Sequence, residues 1–183
     1  MPNRTRRAPR QLDAEGLFEL AVRSLAGRAC SSGEMRQKLR TRAARAEDID
    51  TTIARLKEYG YLDDRRFAES FTASRLENQG FGKTRVAQDL RSRRVAPALA
   101  ETTVRKAYEN VDEVALIEDY IRRKYRSKPR EALFREEKDL ASAYRRLMRA
   151  GFASANAIRA LKRFAANPEL LDNFEPPPTA EEE

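Results

Sequence analysis

The stretch QGFGKT, Gln79 to Thr84, decides between two folds. Its GKT resembles the end of a phosphate-binding loop, G-x-x-x-x-G-K-[ST], which sits between a buried strand and a helix in nucleotide-binding domains. Such a loop needs a glycine five residues before Gly82, and Glu77 stands there. Glutamate lacks the backbone freedom of that turn and sets a carboxylate where phosphate would lie. The preceding run, DDRRFAESFTASRLEN (63–78), reads as a helix. Phe67 and Phe71 are spaced i, i+4 behind Asp63 or Asp64 as a cap. The phosphate-loop reading fails, and QGFG becomes a flexible break between two helices. Lys83 and Arg85 then open a helix at its positive end, an unfavourable place for cations. Either an anionic partner meets them or they point into solvent.

Working outward, the pattern stays helical. Phe18, Ala21, Val22, Leu25 and Ala29 form one apolar stripe. Ser31 and Glu34 fit a capping box that opens a helix carrying Met35, Leu39 and Ala43. Ile49, Ile53 and Leu56 mark a third helix, with Gly60 placed to end it. A shift of 51 residues carries Met35, Leu39 and Ile53 onto Val86, Leu90 and Val104, and Thr51-Thr52 onto Thr102-Thr103. A further shift of 57 reaches Ala143, Leu147 and Leu161, and Leu56 becomes Ala107 and then Phe164. Apolar character survives throughout, the mark of an internal repeat.

The spacing predicts an all-α fold of three tandem three-helix repeats, at 17–61, 62–110 and 111–167, with helices near 17–29, 33–44, 47–59, 64–78, 84–94, 97–109, 112–126, 139–150 and 154–165. One unit this small buries little core, so the units are expected to stack into an elongated, curved array. Phe67, Phe71 and Leu90 are assigned to the core, Tyr59 and Tyr61 to the junction of the first two units, and Cys30 to a small buried site. SKPREALFREEK lengthens the third unit, with Pro129 as a breaker.

Of 183 residues, 37 are Lys or Arg and 29 Asp or Glu, a formal charge of +8. Residues 1–16 and 168–183 read as disordered tails, basic and acidic respectively. Histidine is absent and Cys30 is the single cysteine, so an intramolecular disulfide is excluded and a zinc site disfavoured. No apolar run suits a leader or a membrane span, and a cytoplasmic setting is expected. No cofactor, metal or catalytic centre is implied. Asp63 and Asp64 are read as caps.

GYLDDRRFAESFTASRLENQGFGKTRVAQDLRSRRV (60–95) resembles the centre of the RecX regulatory proteins. The marks are Gly60-Tyr61-Leu62-Asp63-Asp64, Arg66-Phe67-Ala68, Phe71, Arg75, Gly82, Arg85-Val86, Leu90 and Val95, with SSGEMRQKL (31–39) resembling the first repeat. The chain departs from the family's glycine-hydrophobic pair after the second helix of each repeat. It has Ala43-Ala44 and Arg94-Val95, and only Gly151-Phe152 fits. The resemblance implies tandem three-helix units that bind the RecA recombinase, lie in the groove of its filament on DNA, and limit its growth and activities without catalysis. A monomer with weak, sequence-independent DNA binding is expected.

The candidate contacts to RecA or DNA are cations. They are Arg75, Lys83, Arg85, Arg91, Arg93 and Arg94 in the second unit, and Arg122, Arg123, Lys124, Arg126, Lys128 and Arg130 in the third. RSRR (91–94) and RRKYRSKPR (122–130) have few acids in sequence to offset them. Tyr125 is suited to stacking on a base or packing on a neighbouring unit. The alternative reading is a DNA-binding protein of helix-turn-helix type, which would show sequence preference.

Overall fold

The computed structural model describes residues 11–127, 133–166 and 169. Among these residues every regular element is helical, apart from one isolated bridge between Leu12 and Ala43. The helices are α1 (Ala14–Gly27), α2 (Ser32–Arg40), α3 (Ala46–Glu58), α4 (Asp64–Ser74), α5 (Lys83–Ser92), α6 (Pro97–Ala107), α7 (Glu113–Lys124), α8 (Glu137–Arg149) and α9 (Ser154–Lys162). α4 runs on into a π-helical turn, Arg75–Gln79. The all-α expectation holds, and most ends fall within a few residues of those expected. Residues 11–16, assigned to a tail, belong to the fold. The Leu12 amide donates to Arg42 O (2.7 Å), Ala44 N donates to Leu12 O (2.9 Å), and Asp13 caps α1 by accepting from Gly16 N. Ala29 lies beyond α1, whose last residue is Gly27, and is exposed. Residues 1–10, Pro129 and most of the acidic segment lie outside the described residues.

The chain divides into two compact units, one comprising residues up to Ala68 with Leu90–Leu99, the other Glu69–Asp89 with residues from Ala100. In the first, α1 and α2 pack on α3 around Leu17, Ala21, Met35, Leu39, Ile53 and Leu56. In the second, α7 and α8 pack on α9 around Ile117, Ile121, Leu140, Leu147, Leu161 and Phe164. The repeat positions behave alike. Met35, Val86 and Ala143 are buried, as are Leu39, Leu90 and Leu147, and Ile53, Val104 and Leu161. Of the fourth set, Leu56 and Phe164 are buried and Ala107 half-buried. Thr52 and Thr103 are buried too, and the Thr52 hydroxyl is satisfied by donating to Asp48 O (2.6 Å).

The same end-to-end junction of helices occurs in each unit. In the first, the N-terminus of α2 meets the chain just after α5. Ser31 accepts from Glu34 N at 3.0 Å, completing its capping box, and its hydroxyl donates to Arg93 O. Gly33 lies so close that a Cβ would stand 2.4 Å from Arg94 O. In the second, the N-terminus of α5 meets the end of α8. Gly82 N donates to Ala150 O (2.8 Å) and Thr84 N to Gly151 O (3.3 Å), and a Cβ on Gly82 would stand 2.2 Å from Gly151 O. Ser31 and Gly82 are equivalent under the 51-residue shift, and Arg93 and Ala150 under the 57-residue shift. At the second junction amides at the start of α5 meet carbonyls at the end of α8, and at the first the Ser31 hydroxyl serves the Arg93 carbonyl, so each junction satisfies some of the groups that a lone helix end leaves over.

Further expectations are corrected. Cys30, assigned to a buried site, is only partly buried. Tyr59 and Tyr61 are 58% and 51% exposed and stand edge-on to Phe18 at 5.9 and 6.3 Å, within the first unit. Phe67 and Phe71 are only half-buried, whereas Leu90 is fully buried. Asp63 caps α4 through Arg66 N, but Asp64 reaches back to α2 and accepts from Ser32 N. The QGFG break is a defined turn. Gly80 is left-handed (φ 61°), and the Tyr108 hydroxyl donates to Phe81 O at 2.6 Å.

Substituting Gly82→Ala drives a Cβ into backbone that cannot retreat, and is expected to destabilise by on the order of 2–3 kcal/mol. Gly27→Ala meets nothing within 4 Å and should stabilise by about 0.5–1 kcal/mol. Urea unfolding of the two variants measures both. Burial, then the charge of Glu113, pushes the Tyr108 phenol up to about 12. Its stabilising effect is therefore complete below the ordinary value of 10.0 and is lost as pH rises towards 12. Near-ultraviolet titration should show one phenol ionising near 12, absent in Tyr108→Phe.

Candidate functional site

The two basic runs are less uncompensated than their sequence suggests. Arg93 pairs with Glu34 at 3.1 Å, a carboxylate far away in sequence. Arg122 pairs with Glu118 (2.9 Å) and Asp119 (2.6 Å), and its guanidinium lies 5.9 Å from the centre of the Phe164 ring. Arg75 contacts Asp89 at 3.4 Å and stacks on Phe71 at 4.8 Å. Arg85 donates to Asp89 (2.9 Å) and to Arg149 O (3.2 Å), the C-terminal end of α8. That last contact answers the puzzle of cations at the start of α5. The carbonyl end of another helix supplies negative potential there, so for Arg85 the anionic neighbour is internal. The same junction closes the phosphate-loop question, because the Gly82 and Thr84 amides already serve carbonyls.

Arg123 lies over Gly80, where a Cβ would stand 1.9 Å from its Nη2, and it donates to Asn78 O at 3.4 Å. Arg94 is exposed and holds φ 59°. Gly151, its counterpart in the repeat, is also left-handed at φ 85°. An arginine in that conformation costs roughly 1–2 kcal/mol relative to glycine. Lys83, Arg91, Lys124 and Arg126 are exposed. Lys128 and Arg130 lie outside the described residues.

The structure gathers a second set of cations around the end of α7. Lys124 Nζ lies 5.6 Å from the centre of the Tyr120 ring, and the Arg146 guanidinium 5.7 Å from that of Tyr125. Burial pushes the Tyr120 phenol up, and the neighbouring Tyr125 adds to this, while Arg146, Arg123 and Arg149 pull it down. Three guanidinium groups therefore act on one hydroxyl, and no carboxylate is among the groups that shift it. Tyr125 packs edge-on to Phe134 at 5.2 Å, so its ring belongs to this unit's own packing. Arg146 and Arg149 were legible only as part of a basic helix. Their convergence with Arg123 and Lys124 depends on how α7 and α8 both pack on α9. The arrangement suits binding of an anionic surface, and among the described residues no group of three or more His, Cys, Asp or Glu is placed to hold a metal ion.

A tandem array of three-helix units with clustered surface cations defines a class of helical-repeat proteins. The family model for the first three-helix domain of RecX matches residues 18–56, and that for the second three-helix domain matches 63–104. The regulatory protein RecX of Escherichia coli (strain SE11) is 36% identical over 131 residues, covering 66% of this chain and 76% of that protein. The Shigella sonnei protein of the same name gives the same figures. The crystal structure of RecX from Lactobacillus salivarius superposes with a TM-score of 0.65 at 16% identity, covering 83% of this chain and 96% of that one. A second crystal structure of regulatory protein RecX gives 0.64 at 16% identity, over 81% and 71%. The chain belongs to the RecX family of regulatory proteins.

Arg93→Ala leaves the largely buried Glu34 with one partner fewer and is expected to cost about 1 kcal/mol of stability. Lys83→Ala and Arg126→Ala, on exposed side chains, should stay within about 0.5 kcal/mol of the parent. Thermal unfolding of the three variants separates cations that hold the fold from those that face outward.

Proposed function

We propose that this chain binds the RecA recombinase and its nucleoprotein filament on DNA and restrains recombinase activity in recombination, repair and the SOS response. Family membership carries the reading, and the convergence of Arg123, Lys124, Arg146 and Arg149 about Tyr120 supplies a surface for the anionic side of such a filament. The chain works as a monomer in the cytoplasm, without cofactor or catalytic centre. Its three units, at 17–61, 62–110 and 111–167, each contribute surface. Exposed cations act jointly, because a single screened contact is weak while several on one scaffold share the ordering cost. Lys83, Arg91, Arg94 and Arg126 add to this surface. Arg75, Arg85, Arg93 and Arg122 contribute by holding their neighbours in place.

The test is RecA's DNA-dependent ATPase with this protein added below the RecA concentration, where inhibition is expected. A paired salt titration on bare single-stranded DNA and on filaments should accompany it. Replacing Lys124, Arg146 and Arg149 by alanine should lower the salt slope on bare DNA by about 2, at roughly 0.7 per phosphate contact. The same variant should weaken filament binding, with a shallower salt dependence than on bare DNA. Unchanged filament binding would show that these cations are solvated helix faces. Affinity that depends on DNA sequence would favour the helix-turn-helix alternative.

A further inference from the structure

The first unit carries a cleft of about 630 Å³, walled by the end of α1, one face of α2 and the residues ending α5. Its lining includes Arg28, Cys30, Glu34, Lys38, Thr41 and Arg94. Three of these are cations and one is an acid. Glu34 is already committed to Arg28 and Arg93, each at 3.1 Å. Among the described residues Lys38 and Arg94 have no ion-pair partner. Arg28 and Lys38 line the cleft together with Cys30, and both act to lower its pKa. Burial and Glu34 outweigh them and raise it, so the thiol stays neutral and cancels no positive charge.

Arg94 is the informative member. It occupies a left-handed position where the shift of 57 residues places Gly151. The junction with α2 requires that backbone turn, and the atoms of Arg94 nearest Gly33 are its carbonyl group and Cβ, not the guanidinium. Glycine would satisfy the fold at lower cost. A strained arginine whose side chain lines a cationic cleft points to a use for the side chain.

We propose that this cleft is a phosphate-binding site for a nucleic-acid strand, with Arg28, Lys38 and Arg94 contacting one phosphodiester. It rests on the reading above only for the class of ligand. The cleft shares no residue with the Tyr120 cluster, and its lining suits backbone contact without base readout: cations and the hydroxyls of Ser24, Thr41 and Ser92 beside the paired Glu34, with no aromatic ring.

Cys30, the single thiol of the chain, reports occupancy directly. The full chain is treated with a maleimide at low salt, with and without oligothymidylate, while anisotropy of a labelled oligonucleotide follows binding. Labelling is expected to slow roughly tenfold when about nine-tenths of the protein is bound, since only the open cleft reacts. Arg94→Gly should raise the melting temperature, abolish most of that protection and lower the salt slope by about 0.7. Lys38→Gln should weaken protection without changing the melting temperature. The Lys124→Ala/Arg146→Ala variant, brought to the same occupancy with more oligonucleotide, should keep its protection. Binding by anisotropy with no change in the Cys30 rate overturns the cleft while leaving the Tyr120 cluster in place. So does Arg94→Gly with full protection, which makes the strain incidental. Protection by inorganic phosphate but not by the oligonucleotide also overturns it, in favour of a free-anion site. Absence of any DNA binding at low salt overturns both this proposal and the DNA side of the reading above.

Discussion

The junction between a helix start and a helix end is the constraint on which the other features depend. Amides of α5 are satisfied by Ala150 and Gly151 carbonyls, and Ser31, at the start of α2, by the Arg93 carbonyl. Each contact brings two backbones within van der Waals distance, which leaves no space for a side chain at Gly33 or Gly82. It also demands a left-handed residue on the facing side, supplied by Gly151 in one case and by Arg94 in the other. Small helices that bury little individually gain from such ends, because polar groups at the joined termini would otherwise be left without a partner in the fold.

The same junction reorganises the electrostatics. Lys83 and Arg85 look misplaced when α5 is viewed alone. With the end of α8 against it, the local potential is set by two opposed dipole ends, and Arg85 bonds directly to a carbonyl of that end. Arg93 stands at the other end of α5, beside a helix C-terminus, and there it also meets Glu34 of the α2 capping box. Cations near these junctions therefore divide into those consumed in joining helices and those left to face outward.

That division shapes what a member of this regulatory family presents on its surface. RecX-family membership and the fold describe a scaffold of repeated small helical cores. Clusters form where the basic ends of two helices converge, as at Tyr120, or where a helix end lines a cleft, as at Arg94. Both places lie beside helix C-termini, where positive side chains are favoured by the dipole and remain presentable to an anionic surface.

Much of the fold was legible in the sequence because it is local. The 3.6-residue periodicity, the capping box at Ser31 and Glu34, the stop at Gly60 and the 51- and 57-residue shifts each depend on neighbours along the chain. Those features determined an all-helical repeat and excluded a phosphate loop at QGFGKT. What only the tertiary structure decided is pairing at long range. Glu34 neutralises Arg93 across 59 residues, Asp64 caps a helix that precedes it, and Arg146 and Arg149 join Arg123 and Lys124 around one phenol. A run such as RSRR records how many charges a segment carries. Which of them remain exposed depends on carboxylates and carbonyls brought in by packing, because Coulomb and hydrogen-bond energies fall off over a few ångströms in space, whatever the separation along the chain.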